Sequence, residues 1–102
     1  MSKKISDILP KTEILAQLAE EASELAQAAL KLRRALDGTN PTPKSVEECR
    51  KAFEEEYADV MVCMVALGAS DERKAHERIR IIASEKYYRW LHRLQDKEQS
   101  DE

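Results

Sequence analysis

The chain has 102 residues, of which 36% are charged and 5% aromatic, with two glycines, three prolines and a formal charge of −3. That length supports one domain, spanning 1–102, with a modest core that buries roughly two thirds of the unfolded surface, and the composition suits helices with solvated faces. The acidic balance argues against a general nucleic-acid binder, and the lack of a signal peptide or bilayer-length apolar run predicts a cytoplasmic protein with no membrane partner.

Residues 1–10 are polar around a small apolar patch, Ile5, Ile8 and Leu9, ahead of Pro10. One loose helical turn is expected there. Thr12 is a candidate N-cap, and Glu13 suits the first turn of a helix. That helix runs to about Leu36 and stops at Asp37-Gly38, with Gly38 as the left-handed cap. Pro41 and Pro43 stiffen the following loop against further helix. Ser45 with Glu48 forms a capping box that opens the second helix, which ends at Gly68. Ser70 or Asp71 caps a third helix reaching about Gln95, and residues 96–102 are expected to fray. The fold class is therefore all-α: an antiparallel bundle of three main helices per chain.

Two stretches stand out. In the second helix, Phe53, Tyr57, Val60, Met64 and Leu67 form an apolar stripe. Glu56 lies about 60° and Asp59 about 120° from Phe53 on one flank of it. The first helix repeats the design. With Leu18, Leu25, Ala29, Leu32 and Leu36 as its stripe, Glu21 falls about 60° and Glu24 about 120° off, on the same side. Carboxylates so close to a core are costly unless something cationic meets them. If the helices pack antiparallel, Glu21, Glu24, Glu56 and Asp59 converge. That is a site for a hard cation, with Mg²⁺ first and Mn²⁺ as a substitute. Glu20 and Glu55 point further out, either supporting the site from behind or simply solvated.

Cys49 and Cys63 are fourteen residues apart on one helix, or about 21 Å. A disulfide needs Cα atoms within about 7 Å, so they read as buried free thiols. The second helix is apolar nearly all round, with Val62, Val65 and Ala66 off the stripe. Such a helix must be buried all round, which predicts a homodimer or a dimer of dimers. On the third helix Ile79, Ala83, Trp90, Ile82 and Leu94 share an arc that also holds Lys86, with Arg93 and Arg89 beside it. A lysine in an apolar arc either snorkels, pairs with one of the glutamates, or grips a phosphate, and Lys86, Arg89 and Arg93 are the candidates for that grip. His76 and His92 are isolated, and neither follows a Glu by three positions, which disfavours a di-iron bundle.

Glu21-Ala22-Ser23-Glu24 and Glu56-Tyr57-Ala58-Asp59-Val60 resemble the Glu-x-x-Glu and Glu-x-x-Asp signature of the MazG-like proteins. These belong to the all-α nucleoside triphosphate pyrophosphohydrolases. The likeness spans roughly Leu18 to Leu94. The 31 residues between Glu24 and Glu56 exceed the usual gap, and the Asn40–Pro43 stretch accounts for the excess. The resemblance implies Mg²⁺-dependent cleavage of a nucleoside triphosphate to the monophosphate and pyrophosphate, in the service of nucleotide-pool sanitising. Two alternatives stand beside it: a non-enzymatic helical assembly module, and a phosphoribosyl-ATP pyrophosphatase-like activity on the same fold.

Overall fold

A computed structural model describes residues 3–39, 44–68 and 72–100. Among these there are four helices and no strand: α1 (Ile5–Ile8), α2 (Lys11–Asp37), α3 (Val46–Leu67) and α4 (Glu72–Ser100). Three of them are long, as expected for an all-α chain. The chain divides into two compact units, Met1–Ser70 and Asp71–Glu102.

In the first unit α2 and α3 form a helical hairpin, and α1 packs against α3. Backbone chemistry sets the ends. The Lys4 amide donates to Asp7 Oδ2 at 2.8 Å and opens the single turn of α1. Then α2 begins at Lys11, two residues before the expected start. Pro10, with φ already at −66°, takes the N-cap position instead of Thr12. Its carbonyl accepts from the amides of Glu13 and Ile14, so the helical ladder starts there. Gly38 closes α2 at φ +68°, its amide donating to the Arg34 carbonyl. Ser45 and Glu48 form the anticipated reciprocal cap of α3, with the Glu48 amide 3.1 Å from Ser45 Oγ. Gly68 ends α3, its amide donating to the Met64 carbonyl.

The seam between α2 and α3 differs from the expected stripes. The least exposed positions on α2 include Ile14, Leu18, Glu21, Leu25, Ala28, Leu32 and Ala35, and on α3 they include Val46, Cys49, Phe53, Glu56, Val60, Cys63 and Leu67. Both series step by three and four, a heptad repeat. Each seam is turned by about 40° from the stripe drawn through the largest apolar residues. Ala28, Cys49, Cys63 and Ala66 are buried, whereas Tyr57 and Met64 are about half exposed and Leu36 and Ala29 are exposed. The cause is geometric. Small side chains let two helices approach closely, and bulky ones would hold them apart. Both cysteines are buried and free, as anticipated.

In the second unit α4 runs to Ser100, five residues past the expected end, and Ser100 Oγ donates to the Lys97 carbonyl at 3.0 Å. The expected caps at Ser70 and Asp71, and the Asn40–Pro43 loop, lie outside the described residues. Tyr87 and Tyr88 meet edge to face at 5.6 Å between ring centres. Of the side chains described on α4, all but Ala75 and Leu91 are exposed.

Candidate metal centre

The turn of the seam carries the acidic motifs inward. Glu21 and Glu56 occupy heptad positions of the α2–α3 interface, where their side chains are half-buried. Antiparallel pairing places the two opposite each other. Ile14, Ala28, Cys49 and Cys63, further along the same two helices, are among the most buried of the described residues. The acidic pair is thus a polar layer in an otherwise apolar seam, with Leu18 and Leu25 the next seam positions on α2 and Phe53 and Val60 the next on α3.

Glu24, one turn along α2, joins them. Each of Glu21, Glu24 and Glu56 offers an oxygen within 4.8 Å of the others. Gln17 sits one turn earlier and donates from Nε2 to Glu21 Oε1 at 2.8 Å. The other oxygens of the pair, Glu21 Oε2 and Glu56 Oε2, are shielded from solvent and accept no hydrogen bond. A shielded carboxylate oxygen without a donor can serve as a ligand, and three carboxylates in one place suit a hard divalent cation.

Electrostatics carry the same signature. The strongest influence on Glu21 is the Gln17 amide, which lowers its pKa. Partial burial, the charges of Glu24 and Asp59, and a hydrogen bond shared with Glu24 together outweigh it, so the pKa stands above the ordinary carboxylate range. Cys63 is pushed up as well, first by burial and then by the charges of Glu21 and Asp59, which keeps the thiol protonated and inert.

Of the four expected carboxylates the structure gathers Glu21, Glu24 and Glu56. Asp59 is exposed and stands outside the group, although its charge is felt at Glu21. Glu20 and Glu55 are exposed. Lys86, Arg89 and Arg93 belong to the second unit, where all three are exposed on α4. A groove on α4 lined by Glu77, Arg80, Ile81 and Ser84 includes none of them. The residue that sequence reasoning missed is Gln17. Its signal was present, since a Gln four residues before a Glu lies on the same helix face.

No protein-family model, curated protein or solved structure matches the chain.

Proposed function

We propose that this protein is a MazG-like, Mg²⁺-dependent nucleoside triphosphate pyrophosphohydrolase, converting an NTP or dNTP to the monophosphate and pyrophosphate. The observation that carries the proposal is the convergence of Glu21, Glu24 and Glu56 from two helices, with two shielded oxygens lacking any donor. Without a cation, three carboxylates in one place repel one another, and no lysine or arginine is ion-paired to them among the described residues.

The division of labour follows from position. Glu21, Glu24 and Glu56 hold the cation, with Mn²⁺ as a substitute for Mg²⁺. When bound, the cation neutralises phosphate charge that four bare carboxylates would repel. Asp59 stands outside the group and exposed, and we assign it the task of orienting and deprotonating the attacking water. The water oxygen bonds to a phosphorus flanking the α–β anhydride, the bond from that phosphorus to the bridging oxygen breaks, and the monophosphate and pyrophosphate separate. Gln17 fixes the orientation of Glu21 through its 2.8 Å bond. Lys86, Arg89 and Arg93 are the candidates for the phosphates by their sequence pattern alone. Glu20 and Glu55 supply background negative charge at the rim.

The proposal extends to assembly. Measured from the seam, Leu18, Ala22, Leu25, Ala29, Tyr57, Val60 and Met64 fall on one side of the α2–α3 hairpin, while Glu20, Glu24, Glu55 and Asp59 fall on the other. The hairpin thus has an apolar side and an acidic side. Tyr57 is 52% and Met64 49% exposed, and no large side chain is fully buried anywhere in the described chain. An apolar side of this kind is a surface that a second copy can cover, so the proposal includes a homodimer or dimer of dimers built on it. The same exposed side favours a second reading, a purely structural assembly module. Pyrophosphate release across a panel of nucleoside triphosphates, with Mg²⁺ and with chelator, separates them. Mg²⁺-dependent release supports the enzyme, whereas a folded oligomer that releases none supports the module.

A further inference from the structure

The charge of the chain is unevenly placed. Between residues 72 and 95, on α4, seven lysines and arginines stand against three glutamates, a local excess of positive charge in a protein whose total is −3. The ion pairs Arg33–Asp37 and Arg50–Glu47 both lie in the first unit, and no lysine or arginine of α4 is ion-paired among the described residues. Within the basic stretch stands Trp90, the only tryptophan of the chain, 59% exposed. Helical spacing places Lys86 about 40° from Trp90 and one turn before it. Arg93 falls about 60° away, nearly one turn after it, and Arg89 about 100° away, both on the same side as Lys86. All three cations are exposed, so an indole and three positive charges share one sector of the helix. A lipid surface fits that sector poorly. A helix that lies on a bilayer separates apolar from charged residues, whereas here Lys86 and Arg93 fall inside the apolar arc, and Ile81 and Tyr88 fall opposite it. A ligand with an aromatic plane and a string of negative charges fits all four side chains at once. Nucleoside triphosphates are of that kind: indole stacks on a base, and lysine and arginine donate charge-assisted hydrogen bonds to phosphate oxygens.

We propose that Trp90 is the base-stacking residue of a nucleotide-binding patch on α4, with Lys86, Arg89 and Arg93 holding the phosphates. The choice of a free nucleotide as the ligand rests on the reading of the protein as a nucleoside triphosphate pyrophosphohydrolase. Its consequence is for selectivity. Every base has a π-face, and stacking reads no hydrogen-bonding edge, so the patch accepts any of the four bases and demands the phosphates.

The test is the emission of Trp90 in the full-length protein, in Mg²⁺, titrated with nucleoside triphosphates whose α–β bridging oxygen is replaced by a methylene group, so that no turnover occurs. Absorption by the ligand is corrected against free N-acetyltryptophanamide, and pyrophosphate release from the natural triphosphates is assayed alongside. The patch predicts saturable quenching by the analogues of all four bases, none by the uncharged nucleosides at the same concentrations, and reversal by inorganic tripolyphosphate. Calorimetry with the same analogues predicts binding about tenfold or more weaker in Trp90→Ala, and in Lys86→Met with Arg93→Met, while Trp90→Phe stays close to wild type because a phenyl ring still stacks. The wild-type titration stands even where a variant folds poorly. Absence of quenching overturns the patch, and pyrophosphate release in that case leaves the enzymatic reading standing. Quenching without release from any triphosphate upholds the patch and overturns the enzyme. A single-stranded oligonucleotide that quenches at lower concentration than any triphosphate overturns the proposal in favour of nucleic acid. Emission that shifts with protein concentration and ignores the analogues overturns it in favour of cover by a second copy.

Discussion

Glu21 and Glu56 hold positions that a heptad seam ordinarily gives to apolar side chains, and that conflict is the main clue to what they do. Expected outcomes follow at this scale. Glu21→Gln, Glu24→Gln, Glu56→Gln and Asp59→Asn each lower kcat/KM for Mg²⁺-dependent pyrophosphate release by about 10²-fold or more, the usual worth of one acid–base or charge-stabilising group. Pairs of these substitutions are little worse than singles, because parts of one unit do not add. A circular dichroism melt in chelator shows the Glu21→Gln and Glu56→Gln variants at or above wild-type stability. Away from the site, Asp37 Oδ1 accepts from the Thr39 hydroxyl at 2.6 Å and the Thr39 amide at 2.9 Å, with Arg33 Nε 3.6 Å from Oδ2. The Thr39 hydroxyl first, then its amide, and the Arg33 charge lower the Asp37 pKa below its ordinary value. A lowered carboxylate pKa stabilises the fold above the ordinary value, and that contribution is lost as pH falls through the lowered one. Melting temperatures of wild type and Asp37→Asn should therefore differ most near neutral pH and converge at acidic pH.

The helices were legible because their ends are written in local chemistry. The Ser45–Glu48 box and the Gly38 cap are short-range devices, and both stand where their residues predict. The start of α2 was misplaced by two residues because Pro10 can serve as the cap without any side-chain donor or acceptor. The seam was misplaced for a different reason. Hydrophobic periodicity weights large residues, so it points at Leu36, Tyr57 and Met64, whereas close packing in this hairpin selects Ala28, Cys49 and Cys63. The acidic motifs were found, but their place within the seam, and the role of Gln17, depend on that packing. At this scale Gly38→Ala should cost about 1 kcal/mol. Nothing lies within 4 Å of an added Cβ, so the cost is that of forcing a left-handed φ on a residue with a side chain. Ser45→Ala should cost about 1 kcal/mol through loss of the α3 cap. Both are read from urea unfolding midpoints.

For the whole molecule, the all-helical architecture was within reach of composition and pattern, whereas the division into Met1–Ser70 and Asp71–Glu102 was not. No signal of composition separates the two, because both are charged, helical and short of glycine. No helix of the described residues is long and apolar enough to cross a membrane. Exposed apolar side chains on α3, Tyr57 and Met64 on the apolar side of the hairpin and Val62 and Val65 on the back of the helix, carry the assembly prediction. Wild type should sediment above the 11.7 kDa of one chain, and Val62→Glu with Val65→Glu should lower the assembly state. On α4, Lys86→Met should lower kcat/KM by roughly ten- to a hundredfold, the worth of one charge-assisted contact, while Lys74→Met stays close to wild type. The most direct measurement of the central claim is pyrophosphate release from a panel of nucleoside triphosphates, comparing Mg²⁺ with chelator and wild type with Glu56→Gln. The account predicts Mg²⁺-dependent release of monophosphate and pyrophosphate in equal amounts by wild type, largely lost in Glu56→Gln. Release that persists undiminished in chelator, or in Glu56→Gln, would contradict it.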